Sequence, residues 1–201
     1  FKHCNAIIMP RKKDYTKKII DALFNLTPNM PWQDITMEEI AKVVKLDQME
    51  LDRYFTSKIS ILIAYNNQID QQLNIEFNKS IKGASTDLRD EIFDIIMTKY
   101  DMLNSKKDGI RHIFKRTFPI ELVASPKSYL NLANSMKLVL NLAGVITNTP
   151  IGCLRVNILS GIFLNSFISW LNDDSPDMSK TMVSLDKGLK QAEALQTIIP
   201  R

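Results

Sequence analysis

The stretch Thr36–Lys58, TMEEIAKVVKLDQMELDRYFTSK, decides how the rest of the chain is read. Thr36 and Glu39 stand three apart, the spacing at which a hydroxyl and a carboxylate satisfy orphan N–H groups at a helix start. Ile40, Val43 and Val44 then follow at helical spacing. Asp47 and Glu50 repeat the capping pair, so a second short helix begins at Gln48, with Leu51, Tyr54 and Phe55 turned inward. A tight turn over 44–47 joins the two, and Ser57 caps a third helix. Two short helices around a tight turn make a helix-turn-helix.

The order apolar–Ala41, turn, Leu51, Arg53-Tyr54-Phe55, Ser57-Lys58 resembles the DNA-binding signature of the TetR family of bacterial repressors. The usual form is DIAxxAGVSxxTLYRYFxSKxxLL, and this chain reads EIAKVVKLDQMELDRYFTSKISIL. The turn glycine is Lys45 here, and Glu50 and Asp52 replace the Thr and Tyr that touch phosphate in the family. With Trp32 and an amphipathic helix ahead of it, the resemblance spans Tyr15 to Tyr65.

Several expectations follow from that resemblance. The helix from Gln48 to Phe55 would enter the major groove of double-stranded DNA, with Gln48 and Met49 near base edges. Arg53 would reach the groove or bond within the small head. Thr36, Tyr54 and Lys58 match positions that touch phosphate, and Lys45 adds charge in the turn. Phosphate contacts set register and salt dependence, whereas base contacts give specificity.

Ahead of the head lies the densest basic cluster, Arg11, Lys12 and Lys13, with Lys17 and Lys18 beyond. A solvated tail has this composition too, but before a helix-turn-helix a basic arm can follow a DNA groove. The charge balance is thin. Over 9–60 there are nine basic and eight acidic residues, and the whole chain carries +4. A pI near 9.0 permits nucleic-acid contact without demanding it. Met9, followed by Pro-Arg-Lys-Lys, is the more natural start, and residues 1–8 contain too short an apolar piece for a secretory signal.

Helices fill the remainder. Ile19, Ile20, Leu23, Phe24 and Leu26 form one face that Pro28 and Pro31 end, and Trp32 plugs the core between this helix and the next two. From Lys58 a long helix runs through Ile61, Tyr65, Ile69, Leu73 and Phe77 towards Gly83. The next covers Asp87–Leu103 and is broken at Lys106–Gly109, before a short segment from Ile110 to Phe118. Ser125-Pro126, Thr149-Pro150 and Ser175-Pro176 each set a hydroxyl before a proline. That signal predicts helices over Pro126–Val145, Pro150–Leu171 and Pro176–Ile198. The fold class expected is all-α: a basic arm (1–13), a three-helix head (14–60), and a helical body for effector binding and dimerisation (61–201).

The helix from Pro150 to Leu171 is apolar on most of its circumference, so it needs burial nearly all round. A heptad-like seam, Met178, Met182, Leu185 and Leu189, follows it. One intramolecular core would explain both. The alternative is a homodimeric four-helix bundle, as the resemblance implies, with Leu154, Ile158, Gly161, Ile162, Met182, Leu185 and Leu189 at the interface. Apolar runs are interrupted well before the length of a membrane span, so no transmembrane segment is expected. Cys4 and Cys153 share no spacing with histidines, which fits reduced thiols in a cytoplasmic protein.

Catalytic hardware is sparse. His3 and His112 are isolated, no phosphate loop or nucleophile motif is present, and Asp173, Asp174 and Asp177 surround a helix start where acids are expected. The chain reads as a non-enzyme with no cofactor and no metal. Phe93, Met97, Tyr100, Phe114, Met136 and Leu140 are large apolar residues of the middle helices, ordinarily core. The TetR resemblance implies a pocket there for a small hydrophobic effector or lipid. Asn134, Asn141, Asn157 and Asn165 would need partners if buried. A second resemblance, over Trp170–Ala192, is to the lipid-binding accessory protein of ubiquinone biosynthesis, and implies a carrier without DNA binding.

Overall fold

The computed structural model describes residues 15–79, 87–116 and 125–196. Every regular element among them is a helix: α1 (Thr16–Leu26), α2 (Met37–Val44), α3 (Gln48–Asp52), α4 (Lys58–Lys79), α5 (Leu88–Asn104), α6 (Lys107–Arg116), α7 (Pro126–Leu142), α8 (Pro150–Leu171) and α9 (Ser179–Gln196). The all-α expectation holds.

α1 buries Ile19, Ile20, Leu23 and Phe24, and packs on α2, α4 and α6. Trp32 is buried beside Ile35, as a plug. α4 crosses from this head into the body without a break, so the boundary expected after residue 60 falls inside a helix. One apolar core runs from Ile19 in α1 to Leu189 in α9. In the body α8 packs on α7 and α9, while α5 packs on α4, α7 and α9. At its centre the Tyr100 ring stacks on Phe163 (5.4 Å between centroids) and Trp170 (5.6 Å). Such contacts add about 1 kcal/mol each beyond area burial. The Tyr100 hydroxyl is hydrogen-bonded to Ser166 Oγ (2.8 Å) and donates to the Phe163 carbonyl (3.2 Å).

Three helix limits differ from expectation. Gly109 lies inside α6, so the break falls at Ser105–Lys106; a Cβ on Gly109 would sit 2.8 Å from Phe24 Cδ1. This glycine marks a close approach of α1 rather than a turn. α7 stops at Leu142, and Gly144 turns the chain with φ +78. α9 begins at Ser179, directly after Met178 takes a left-handed φ of 52, and buried Asp173 caps the first turn. Its Oδ2 accepts from Thr181 N (2.8 Å) and Oγ1 (2.8 Å), and its Oδ1 accepts from Ser175 N (3.1 Å) and from the Ser175 hydroxyl.

α8 passes the test of length and composition for a membrane span, as the core helix of a bundle also does, and its inner face packs in the bundle. One further expectation is corrected. The seam residues Leu185 and Leu189 are buried in the chain's own core, at 0% and 5% exposure, and so cannot form a surface. A heptad pattern shows that a helix has a partner without saying which one. The outward face belongs to Ile151, Leu154, Leu164 and Ile168 of α8 and Val183 of α9, which are 44–69% exposed. Gly161 opens onto that face, whereas Ile158, Ile162 and Met182 are half-buried.

Candidate nucleic-acid interface

The helix-turn-helix forms as its caps require. Thr36 Oγ1 accepts from Glu39 N at 3.2 Å, and Asp47 Oδ1 accepts from Glu50 N at 2.7 Å. Between them α2 closes on Lys45, whose φ 59 and ψ 44 are left-handed, while Leu46 N donates to the Ala41 carbonyl at 3.1 Å. This is the helix-ending geometry that glycine adopts without strain. Ser57 and Ser60 cap each other at the start of α4, each Oγ accepting the other's backbone N–H at 3.2 Å.

α3 spans Gln48–Asp52 rather than reaching Phe55, and the chain turns at Arg53 and Tyr54. Its anchor is Leu51, fully buried, with Phe55 buried just beyond. The opposite face is open. Met49 is 74% exposed, and Gln48, Glu50, Asp52 and Arg53 are exposed around it. Gln48 Nε2 donates to Asp52 Oδ1 at 3.0 Å, so one acid of this face is already engaged.

The expected phosphate contacts fare unevenly. Thr36 is exposed, with its oxygen also serving as a cap. Tyr54 is half-buried, edge-on to Tyr15 at 6.1 Å. Lys58 is turned into the head: its ammonium donates to the carbonyls of Trp32 and Ile35 (3.1 Å) and lies 4.6 Å from the Trp32 ring centre. It is a fastener between α4 and the loop before α2. Lys45 is exposed, whereas Lys42 is tied to Glu38 (3.2 Å) and Glu39 (2.8 Å). Arg11, Lys12 and Lys13 lie outside the described residues.

The six residues expected to enclose an effector stand in different settings. Tyr100, Met136 and Leu140 are buried core. Phe93 lines an open groove between α5 and α9; Met97 and Phe114 pack at the core margin. The four asparagines are all exposed, and three of them are hydrogen-bonded: Asn141 to Thr147, Asn157 to Tyr129, and Asn165 to Ser184.

No family model and no curated protein matches the sequence. Solved structures do match. A TetR transcriptional regulator from Nitrosomonas europaea superposes with a TM-score of 0.65 at 19% identity, covering 89% of this chain and 98% of that one. The fold is that of the TetR regulators. A second, from Rhodococcus sp. RHA1, gives 0.63 at 17% identity over 87% and 93%. The TetR family repressor AlkX of a Dietzia strain, implicated in n-alkane biodegradation, gives 0.54 at 18% identity over 88% and 95%.

Within the TetR fold, the element that the sequence reading passed over is a buried ion pair joining α4 to α5. Lys99, 1% exposed, donates to Asp70 Oδ1 and to Asn66 Oδ1 (2.9 Å). Burial lowers the Lys99 pKa, and the Asp70 charge works against that fall. The signal was present: Lys99 interrupts the inward face of Ile95, Ile96 and Tyr100, and Asp70 stands beside Ile69 and Leu73.

Proposed function

We propose that this protein is a dimeric transcriptional regulator of TetR type, which reads duplex DNA with α3 of each head. The observation that carries the reading is the bare outer face of α3, where Met49 is 74% exposed beside Gln48 and Arg53. A large apolar side chain held out by a rigid head suits contact with a thymine methyl, and Gln48 suits an adenine edge. The head without the arm (14–60) carries six basic and eight acidic residues, so the arm 1–13, with Arg11, Lys12 and Lys13, supplies the cationic contribution. Pairing of two bodies (61–201) through the outward faces of α8 and α9 sets the two heads on successive half-sites. Repression relieved by a small hydrophobic effector, and a cytoplasmic location, complete this reading.

Selection from random duplexes followed by anisotropy titration across salt tests it. Binding is expected with a slope that falls by about one for each arm cation replaced by alanine. Met49→Ala and Gln48→Ala should relax sequence preference without altering that slope. Absence of salt-dependent duplex binding at low ionic strength would remove the reading. Lys58→Ala is a poor probe here, because that ammonium holds the head together. The lipid-carrier alternative is not favoured: the segment that suggested it is a packed corner, with Trp170, Asp173 and Thr181 all buried.

A further inference from the structure

Along a helix, residues four apart share an edge. Gln48 and Asp52 stand on one edge of α3, and Met49 and Arg53 follow on the next. All four are exposed, while Leu51 is fully buried and the Asp47 cap holds the first turn. The edge of Gln48 and Asp52 carries a hydrogen bond of its own, from Gln48 Nε2 to Asp52 Oδ1 at 3.0 Å. In water such a pair biases the glutamine only weakly. Where water is displaced, as between a protein and a base edge, the same bond is stronger.

The chemistry of the two side chains sets the sense of that bond. A carboxylate only accepts, so the Gln48 amide gives its nitrogen to Asp52 and keeps its oxygen on the other side. What Gln48 then offers to a base is Oε1, an acceptor, and the second hydrogen on Nε2. An unrestrained glutamine can turn its amide and present both N–H groups instead. The major-groove edges differ in this respect: adenine shows an N6 amino donor beside the N7 acceptor, and cytosine shows an N4 amino donor, whereas guanine shows two acceptors. The restrained amide matches adenine, with Oε1 accepting from N6 and Nε2 donating to N7. Against guanine, Oε1 would face O6, acceptor to acceptor.

We propose that Asp52 is a positioning residue for base recognition: by holding one Gln48 amide hydrogen, it makes α3 select adenine and reject guanine at the base facing Gln48. The assignment rests on the DNA reading above and adds a rule of selection to it. It also gives a purpose to an acid that otherwise only weakens attraction to phosphate.

Duplexes selected by the full chain from a random pool supply the probe, with anisotropy titration at fixed salt as the readout. The base read by Gln48 is the one whose preference Gln48→Ala loses. Replacing that adenine by purine, which lacks the amino group, should weaken the parent by about three- to tenfold, as one lost hydrogen bond does. A G·C pair in place of the A·T pair should weaken it further. For Asp52→Asn, which lets the amide turn, the affinity ratio between the A·T and G·C duplexes should shrink by about three- to tenfold. Loss of a negative charge tightens both duplexes alike, so the ratio is the measure, and a purely structural role would leave it unchanged. The double variant Gln48→Glu with Asp52→Asn moves the donor to position 52 and again leaves acceptors outward. It should reject guanine and favour cytosine. The assignment falls if the Gln48 position selects guanine, if Asp52→Asn keeps the parent ratio, or if the double variant takes guanine. Absence of duplex binding at low salt is a separate result, which removes the DNA reading itself.

Discussion

Lys58 and Lys45 occupy neighbouring parts of the head and do opposite things to it. Lys58 ties two loop carbonyls and the Trp32 ring to α4. Lys58→Ala should cost about 2 kcal/mol in denaturant unfolding, from two lost charge-assisted bonds. Lys45 sits in left-handed backbone that a side chain disfavours. Lys45→Gly should raise the denaturation midpoint, by up to about 1 kcal/mol after the extra freedom of unfolded glycine is deducted. At the far end of the chain, burial works against ionisation of Asp173, but bonds from Ser175 and Thr181 outweigh it and hold the carboxyl far below the usual carboxylate range. A depressed folded pKa gives stability that is present above the unfolded value and lost as pH falls. Asp173→Asn should therefore cost about 3 kcal/mol near neutrality, and the gap from the parent should narrow below about pH 4. Urea unfolding at several pH values checks both statements.

Elements were legible where local chemistry alone sets them. The Thr36 and Asp47 caps, the Thr149-Pro150 start of α8 and the Ser57 start of α4 all stand where the sequence puts them. They were misread where backbone or packing intervenes: the left-handed Met178 delays the start of α9, and Phe24 claims the space beside Gly109. No local pattern reports a neighbour from another helix. The second case links head to body, because α1 meets α6 through that glycine and through the Asp21–Lys106 ion pair at 2.6 Å. Gly109→Ala should push α6 from α1 and cost about 1–3 kcal/mol in thermal unfolding. If its stability matches that of the parent, the contact is looser than the geometry indicates.

On the scale of the whole molecule, the same apolar sequence pattern served two ends, and only packing separated them. Leu185 and Leu189 face inward, while Leu154 and Ile168, with no less apolar surroundings in sequence, face out. In the proposed dimer, Leu154→Glu should yield a helical monomer by sedimentation, whereas Leu185→Ala should leave association intact and destabilise the chain by about 2–5 kcal/mol. Parent protein that sediments as a monomer at micromolar concentration would remove the pairing.

In the proposed regulator the unbroken α4 would serve as a lever. Asp70, gripped by Lys99 and Ser135, is the natural fulcrum, and Lys58 lies twelve residues along the same rod. At about 1.5 Å per residue that arm is roughly 18 Å long. Swinging it by some ten degrees would carry the head about 3 Å, close to the roughly 3.4 Å of helix axis per phosphate of one strand. In the proposed regulator, a head displaced that far would lose its register on the duplex with nothing inside it changed.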